Sequence, residues 1–341
     1  MTESDLPAVA AFAAGQGRAG EAIAEGALSP LERLRWVLLE NPARAADIPL
    51  GWCVKDGDAV VGTLLCVPFR VGAGDFACTA LMSSKFYVDP RYHGMGIAPM
   101  MRFLQAGRRF PLLMTSANAL AGEIYRKCGA FQLEGMDHTM LGVARPGPLA
   151  EEWVVRRTGR PAAARMLAFP AQLLRRRIRA SLADSELVAM RSAEEATTPP
   201  LPRPGETLAI LRDADYLGWR YFGREGGKDV YRLRVAGEED RLVVVRLARS
   251  GHRSQIRVLD VLDLWPAASP LVAERLVGHL AARYAGRFDV IWLRSQPPEA
   301  EAALQRIGFL RHEFPAPLGW CIDRAGMLPT RRSYLMPGEA E

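Results

Sequence analysis

The sequence predicts a mixed α/β (α+β) protein: two mixed-sheet domains in tandem, each with a central βαβα segment, joined by an arginine-rich helical linker. Three observations predict it. The chain has 341 residues, about twice the length of a common single domain. Strand-period and helix-period patterns follow one another in the same order in both halves. In each half a buried strand and the helix after it end on a glycine at nearly the same interval, Met114 to Gly129 being 15 residues and Trp292 to Gly308 being 16.

Composition bounds the function classes. A hydrophobic content of 49% is enough for two cores. A net charge of +6 is mildly basic and names no partner by itself. The five cysteines, Cys53, Cys66, Cys78, Cys128 and Cys321, are scattered and odd in number, with no Cys-x-x-Cys and no histidine at metal-ligand spacing. A reducing, cytoplasmic compartment without structural metal is the reading. Glu3 and Asp5 leave no basic leader region at the N-terminus. No run of about 18 uncharged apolar residues exists to span a membrane.

Taken in order, Asp5 to Ala14 reads as a short helix with Pro7 in its first turn. Ser29 caps a second helix, Leu31 to Glu40, with Pro30 at the first helical position. Strands are expected at Trp52 to Lys55 and Ala59 to Val67 around an Asp56-Gly57-Asp58 turn, then at Cys78 to Val88 after a turn at Gly72 to Asp75. A helix from Ile97 to about Arg108 follows, with Ile97, Met100, Met101 and Leu104 as its buried face. Next come a buried strand at Leu112 to Ser116 and a helix capped by Asn118, with Ala121, Ile124, Tyr125 and Cys128 inward and Gly129 as a left-handed stop. One or two strands finish the unit near Ala144. Pro146-Gly147-Pro148 marks its end, giving a first domain over 1–146 and a basic helical linker over 147–204. The third segment, 205–341, repeats the order: strands at Val230 to Val235, Arg241 to Ala248 and Gln255 to Leu264, a helix at Leu271 to Ala282, a strand at Val290 to Leu293, and a helix opened by Pro298.

The stretch from Phe86 to Ala98 holds the chemistry. An apolar strand ends at Asp89-Pro90, passes through Arg91-x-x-Gly94-x-Gly96 and enters a helix. Glycines let a backbone approach an anion, and the first N–H groups of a helix point at it with the dipole behind them. A plain glycine turn reads the same way at this point. Arg91-x-x-Gly94-x-Gly96, the helix behind it, a parallel strand, Asn118, and Tyr125-Arg126-Lys127-Cys128-Gly129-Ala130-Phe131 together resemble the GNAT family of acyl-CoA-dependent N-acyltransferases. The match covers roughly residues 5–145, and the second half resembles a degenerate GNAT-like copy.

The resemblance implies acetyl-CoA or another acyl-CoA as co-substrate, a small primary amine as acceptor, and no metal. Its pyrophosphate would lie on the N–H groups of Arg91, Tyr92, His93, Gly94, Met95, Gly96 and Ile97. Its pantetheine arm would pair with the main chain at Phe86, Tyr87 and Val88. Asn118 would touch that arm or order the gap between two parallel strands. Tyr125 would protonate the leaving thiolate as general acid. No general base is identifiable among the nearby titratable groups Asp89, Glu123, Asp137 and His138, and a water chain would serve as well. The family's first strand is short or missing.

The second copy fails both chemical requirements. Trp265-Pro266-Ala267-Ala268-Ser269-Pro270 replaces the glycine loop, and Leu304 stands four residues before Gly308, where Tyr125 stands before Gly129. A structural or substrate-shaping role follows, with Trp219, Arg220 and Tyr221 as core or as the lining of a cleft. The linker holds eight arginines against two acids over 151–183, interleaved with apolar residues. It reads as a solvated linker or as a surface for an anionic membrane or an acyl carrier protein. No helix-turn-helix or zinc pattern supports nucleic-acid reading. Two alternatives stay open beside acetyl transfer: an acyl-CoA-binding protein without catalysis, and an aminoacyl- or acyl-carrier-dependent transferase.

Overall fold

Ser29 caps the second helix as expected, and Glu32 completes a capping box that the sequence reading did not include. The Ser29 hydroxyl accepts from the Glu32 N–H (3.3 Å), and the Glu32 carboxylate accepts from the Ser29 N–H (2.9 Å). In this computed structural model every residue is described except 17–27, 116–118, 135–136, 161–179, 198–206, 225, 251–255, 295, 314–318, 331–332 and 335–341. Asn118, most of the arginine-rich linker and the proline-rich loop near 200 therefore lie outside the described residues.

The first half runs α1 (Leu6–Gln16), α2 (Pro30–Leu38), β1 (Gly51–Asp56), β2 (Ala59–Ala73), β3 (Phe76–Val88), α3 (Ile97–Ala106), β4 (Leu112–Met114), α4 (Ala119–Lys127), β5 (Phe131–Gln132) and β6 (His138–Val143). Strand β2 is longer than its sequence suggests. It continues through Pro68, whose carbonyl accepts from the Asn41 side chain (2.9 Å). Pro146 to Pro148 is the first turn of a helix, α5 (Pro146–Thr158), since a first-turn proline lacks only an N–H that the helix does not use. Gly159 ends it at φ +66°.

The second half runs β7 (Ser185–Ala189), α6 (Ala193–Thr197), β8 (Leu208–Ile210), α7 (Ala214–Arg220), β9 (Lys228–Val235), β10 (Arg241–Ser250), β11 (Ile256–Trp265), α8 (Pro270–Arg283), β12 (Val290–Arg294), α9 (Pro298–Arg306), β13 (Leu310–Glu313), β14 (Trp320–Ile322) and β15 (Ser333–Tyr334). Its central order repeats that of the first half. Among the described residues no helix is long and apolar enough to cross a membrane.

The two halves exchange strands: β6 of the first enters the second sheet, and β8, β14 and β15 of the second enter the first. One sheet has the order β15-β8-β2-β3-β4-β14-β5, with β1 on the other part of β2; the second has β13-β6-β12-β11-β10-β9-β7. Strand β14 from the second half lies between β4 and β5, pairing Cys321 with both Leu113 and Phe131. Strand β6 from the first half lies between β12 and β13, pairing Leu141 with both Trp292 and Leu310. The segments 1–146 and 205–341 are thus not one sheet each. A residue on the exchanged strand shows the accommodation: a Cβ on Gly142 would fall 2.4 Å from the Phe309 ring.

Packing between the halves reinforces the exchange. One apolar cluster joins Leu6, Leu38, Val67 and Leu113 to Leu217, Val243, Leu259 and Leu276. Trp36 and Trp219 stack at 5.2 Å, and each indole N–H donates to the other's carbonyl, at 3.2 and 3.0 Å. Arg220 and Tyr221 are thus buried and Trp219 is half-buried against the core, with the Arg220 guanidinium 5.5 Å from the Trp36 ring centre. Arg212, beyond β8, reaches Asp263 on β11 through Nε (2.9 Å) and Nη2 (2.8 Å), and the Tyr221 hydroxyl donates to the same carboxylate (2.9 Å). Both charged side chains are fully buried.

Residues 1–204 expressed alone lack β14, which leaves β5 unpaired and exposes the outer edge of β4. The fragment is expected to show no cooperative thermal transition by near-UV circular dichroism, and to gain one on co-expression with 205–341. Arg212→Met is expected to lower stability by about 3–5 kcal/mol, because it strands a buried carboxylate. In urea unfolding, adding Asp263→Leu should recover most of that loss.

Candidate functional site

Two strands part at the centre of the first sheet. Strands β3 and β4 are parallel and paired at Leu81↔Leu112 and Met82↔Leu113. Strand β4 then ends at Met114, whereas β3 continues to Val88. Beyond Met82, no strand among the described residues pairs with this edge of β3. On its other edge, the register with β2 slips from Leu65↔Ser84 to Thr63↔Tyr87, three steps on β3 against two on β2. This is a β-bulge, and Lys85 within it has φ +48°. A left-handed lysine costs on the order of 1–3 kcal/mol and is tolerated only where its surroundings impose it. The bulge turns main-chain groups between Ser84 and Tyr87 out of the ladder, next to the gap. Lys85 is neither glycine nor asparagine, so the sequence carries no sign of it.

At the end of β3, Asp89 organises the loop. Its carboxylate accepts from the Arg91 N–H (2.9 Å) and from the Arg91 guanidinium (2.8 Å). That hydrogen bond is the main reason the Arg91 pKa is raised. Pro90–Gly96 coils as a 3-10 segment with a kink at Tyr92. The Tyr92 N–H donates to the Asp89 carbonyl (2.8 Å), and its hydroxyl to the Asp56 carboxylate in the β1–β2 turn. The Ile97 N–H donates to the Met95 carbonyl. The main-chain donors of Arg91, Tyr92 and Ile97 are therefore used inside the loop, and the 3-10 coil uses others for its own bonds. A Cβ on Gly94 would meet nothing within 4 Å, whereas one on Gly96 would lie 3.0 Å from Val88 and 3.7 Å from Phe86. Gly94 leaves the outer side of the loop open, and Gly96 lets the loop seat on β3.

The buried face of α3 differs from expectation. Pro99, Met100, Phe103 and Leu104 face the sheet, while Ile97 is 67% exposed and Met101 49%. Both patterns have helical spacing, and the choice depends on how the loop sets the rotation of the helix. Ile124 on α4, also expected inward, is exposed as well. The inner face of α4 is Ala121, Gly122, Tyr125 and Cys128.

Tyr125 is buried, and Ser83 on β3, just past the last β3–β4 pair, is the polar side chain acting on its hydroxyl. Burial pushes its pKa above the ordinary value of 10, and Ser83 pulls it part of the way back. Its apolar surroundings include Leu81, Met100, Leu112, Met114 and Trp320. The Ala130 N–H returns to the Tyr125 carbonyl (2.9 Å) as the chain turns at Gly129, φ +89°. The structure thus brings Phe86, Tyr87, Val88, the 91–97 loop and Tyr125 around one gap. The sequence gives no hint of Trp320, which arrives on the exchanged strand opposite Met114.

His138 is elsewhere. It begins β6 in the second sheet, with Nδ1 2.7 Å from Asp137 and Nε2 hydrogen-bonded to Glu301 on α9. Strand exchange carries it away from the position expected of a base, and it braces the two halves instead. Asp89 is committed to the loop.

The second half keeps the geometry without the opening. Strands β11 and β12 are parallel at Val258↔Val290 through Asp260↔Trp292, and β11 also bulges, between Val261 and Asp263. Here Asp263 at the bulge is capped by Arg212 and Tyr221. Ser269 caps α8 through its hydroxyl (3.3 Å from the Val272 N), with Pro270 in the first turn. Leu304 is buried at the place equivalent to Tyr125.

No family profile matches the sequence, and no curated protein matches it. Solved structures do. A conserved protein of unknown function from Enterococcus faecalis V583, given as a probable N-acyltransferase, aligns over 95% of this chain and 72% of its own with a TM-score of 0.59 at 10% identity. A GCN5-related N-acetyltransferase from Anabaena variabilis aligns over 96% and 72% with a TM-score of 0.57 at 11% identity. One from Kribbella flavida aligns over 94% and 69% with a TM-score of 0.52 at 14% identity. These likenesses span both halves, and the chain has the fold of the GCN5-related N-acetyltransferases.

Proposed function

We propose that the first half is an acyl-CoA-dependent N-acyltransferase, with acetyl-CoA as donor and a primary amine as acceptor. The observation that carries this reading is the burial of Tyr125 beside Ser83, where β3 parts from β4 close to the glycine loop. The edge of β3 at Phe86–Val88, which lies beyond its last pair with β4, would take the pantetheine amides as an added strand. The loop around His93–Gly96 would hold the pyrophosphate, with Asn118 assigned to the pantetheine from the sequence pattern. The neutral amine attacks the thioester carbon, the C–S bond breaks, and the thiolate takes the Tyr125 proton. The amide nitrogen gives up its own proton to water. Burial disfavours both anions, phenolate and thiolate, so the proton passes between groups whose pKa values rise together.

Thiol release from acetyl-CoA with a panel of amines tests the reading. Tyr125→Phe is expected to lower kcat about 100-fold, within the range of general acid catalysis. A phenol held neutral above pH 10 remains a donor throughout the neutral range. Activity should therefore rise with pH as the amine deprotonates and fall only above 10, and the falling limb should vanish in the variant. Coenzyme A binding without turnover on any amine would leave a binding protein instead.

Gly94→Val should leave the melting temperature unchanged, because its side chain meets none of the chain, and should weaken coenzyme A binding at least 100-fold by calorimetry. Gly96→Val should lower the melting temperature as well, because its Cβ presses on Val88. Wild-type affinity in Gly94→Val would remove the loop from the site.

A further inference from the structure

We propose that Trp320, supplied to the first half by the exchanged strand of the second, is a positioning residue for Tyr125. The inference rests on Tyr125 being the general acid. Helix α4 carries Gly122 in its interior, where alanine is the better helix former. The reason for a glycine is on its inner face. A Cβ there would lie 3.0 Å from Trp320 Nε1, 3.1 Å from Cζ2 and 3.2 Å from Cε2. The helix backbone therefore rests directly on the indole. Gly122 and Tyr125 are three residues apart and share a face. The height at which Trp320 holds Gly122 sets where the Tyr125 hydroxyl falls relative to Ser83 and to the gap. Trp320 pairs with Met114, the last residue of β4, and belongs to the same apolar cluster as Tyr125. The other half repeats the contact with different chemistry. Glu301 stands seven residues before Gly308, as Gly122 stands before Gly129, and it meets His138 on the other exchanged strand. In both halves, then, the donated strand bears on this point of the helix, and only in the first half does a tyrosine follow one turn later.

The full-length protein tests this with Gly122→Ala, Trp320→Phe and the double variant. Gly122→Ala should lower kcat about 10-fold, since a Cβ at 3.0 Å displaces the helix or the indole by a few tenths of an ångström, and a full 1 Å displacement costs up to about 100-fold. The affinity for coenzyme A by calorimetry should stay within about twofold, because the loop is untouched. In the double variant the smaller ring makes room for the Cβ, and kcat should return to within about threefold of wild type. With 3-fluorotyrosine at position 125, the fluorine resonance should shift in Gly122→Ala and shift back in the double variant. Wild-type turnover in Gly122→Ala, additive losses in the double variant, or an unmoved resonance would each overturn the proposal. If Gly122→Ala does not fold, Trp320→Phe carries the test: a lower kcat with KM for acetyl-CoA unchanged supports the proposal, and an unchanged kcat overturns it. If the wild type releases no thiol, the acid role of Tyr125 fails, and the fluorine resonance alone decides whether Trp320 positions it.

Discussion

The reciprocal exchange of β6 and β14 is the constraint on which the rest of the structure depends. In the first sheet, β14 is the partner of both β4 and β5. Without it, the edge of β4 would be an unpaired row of N–H and carbonyl groups at the centre of a buried sheet. Each such group left unsatisfied costs about 1–3 kcal/mol. The same holds for β6 between β12 and β13. Neither half can complete its sheet from its own residues, so the two fold as one object. The tryptophan pair Trp36–Trp219 joins the two halves directly, and Arg212 to Asp263 ties the segment after β8, in the first sheet, to β11 in the second.

The exchange also explains how one half can lose its site without losing its fold. The parallel pair and the bulge persist in β11 and β12, because the sheet needs them to diverge around α8 and α9. What changes is the occupant. A buried carboxylate at the bulge requires a partner, and Arg212 supplies a bidentate one with Tyr221 beside it. With Leu304 on the helix above and a serine-capped turn in place of the glycine loop, the second bulge is filled by the chain's own charges. In the first half the corresponding position carries no buried ion pair among the described residues, and the neighbouring groups are Ser83, Ser84 and Tyr125.

What the sequence reveals and what it hides divide along physical lines. Local rules are legible: the Ser29 cap, Pro30 in the first turn, Gly129 and Gly308 as left-handed stops, and the glycine loop between strand and helix all lie where expected. The resemblance placed Tyr125 beside the strand edge that the structure opens. Non-local pairing is not legible. Strands of six and three residues carry too little pattern to say which sheet receives them, so β6 and β14 read as the ends of their own halves, and His138 reads as a neighbour of Tyr125. The rotation of α3 and α4 is equally hidden, because Ile97, Met101 and Ile124 fit an apolar stripe as well as Phe103 and Gly122 fit the true one. Gly122 has the weakest sequence signature of all, a glycine inside a helix, and only the arrival of Trp320 explains it.

That last pairing connects the fold to the chemistry. A general acid on a helix works only if the helix stands at a fixed height above the cleft, and the apolar sheet beneath α4 does not set that height by itself. Side chains on the inner face would hold the helix at a distance that varies with their rotamers. An indole against bare backbone is stiffer, since neither surface has torsions to relax. The other half holds its equivalent helix through the ionisable pair of Glu301 and His138, with Arg311 3.2 Å from the same carboxylate. A polar contact is adequate where the next turn presents Leu304 to the core. On the proposed reading the next turn of α4 presents Tyr125 to a reacting thiolate, and the apolar contact of Gly122 with Trp320 adds no further charge to that helix face. The donated strand would then set the position of the proton donor, and the second half, though its own bulge is occupied by Arg212 and Asp263, would belong to the proposed site of the first.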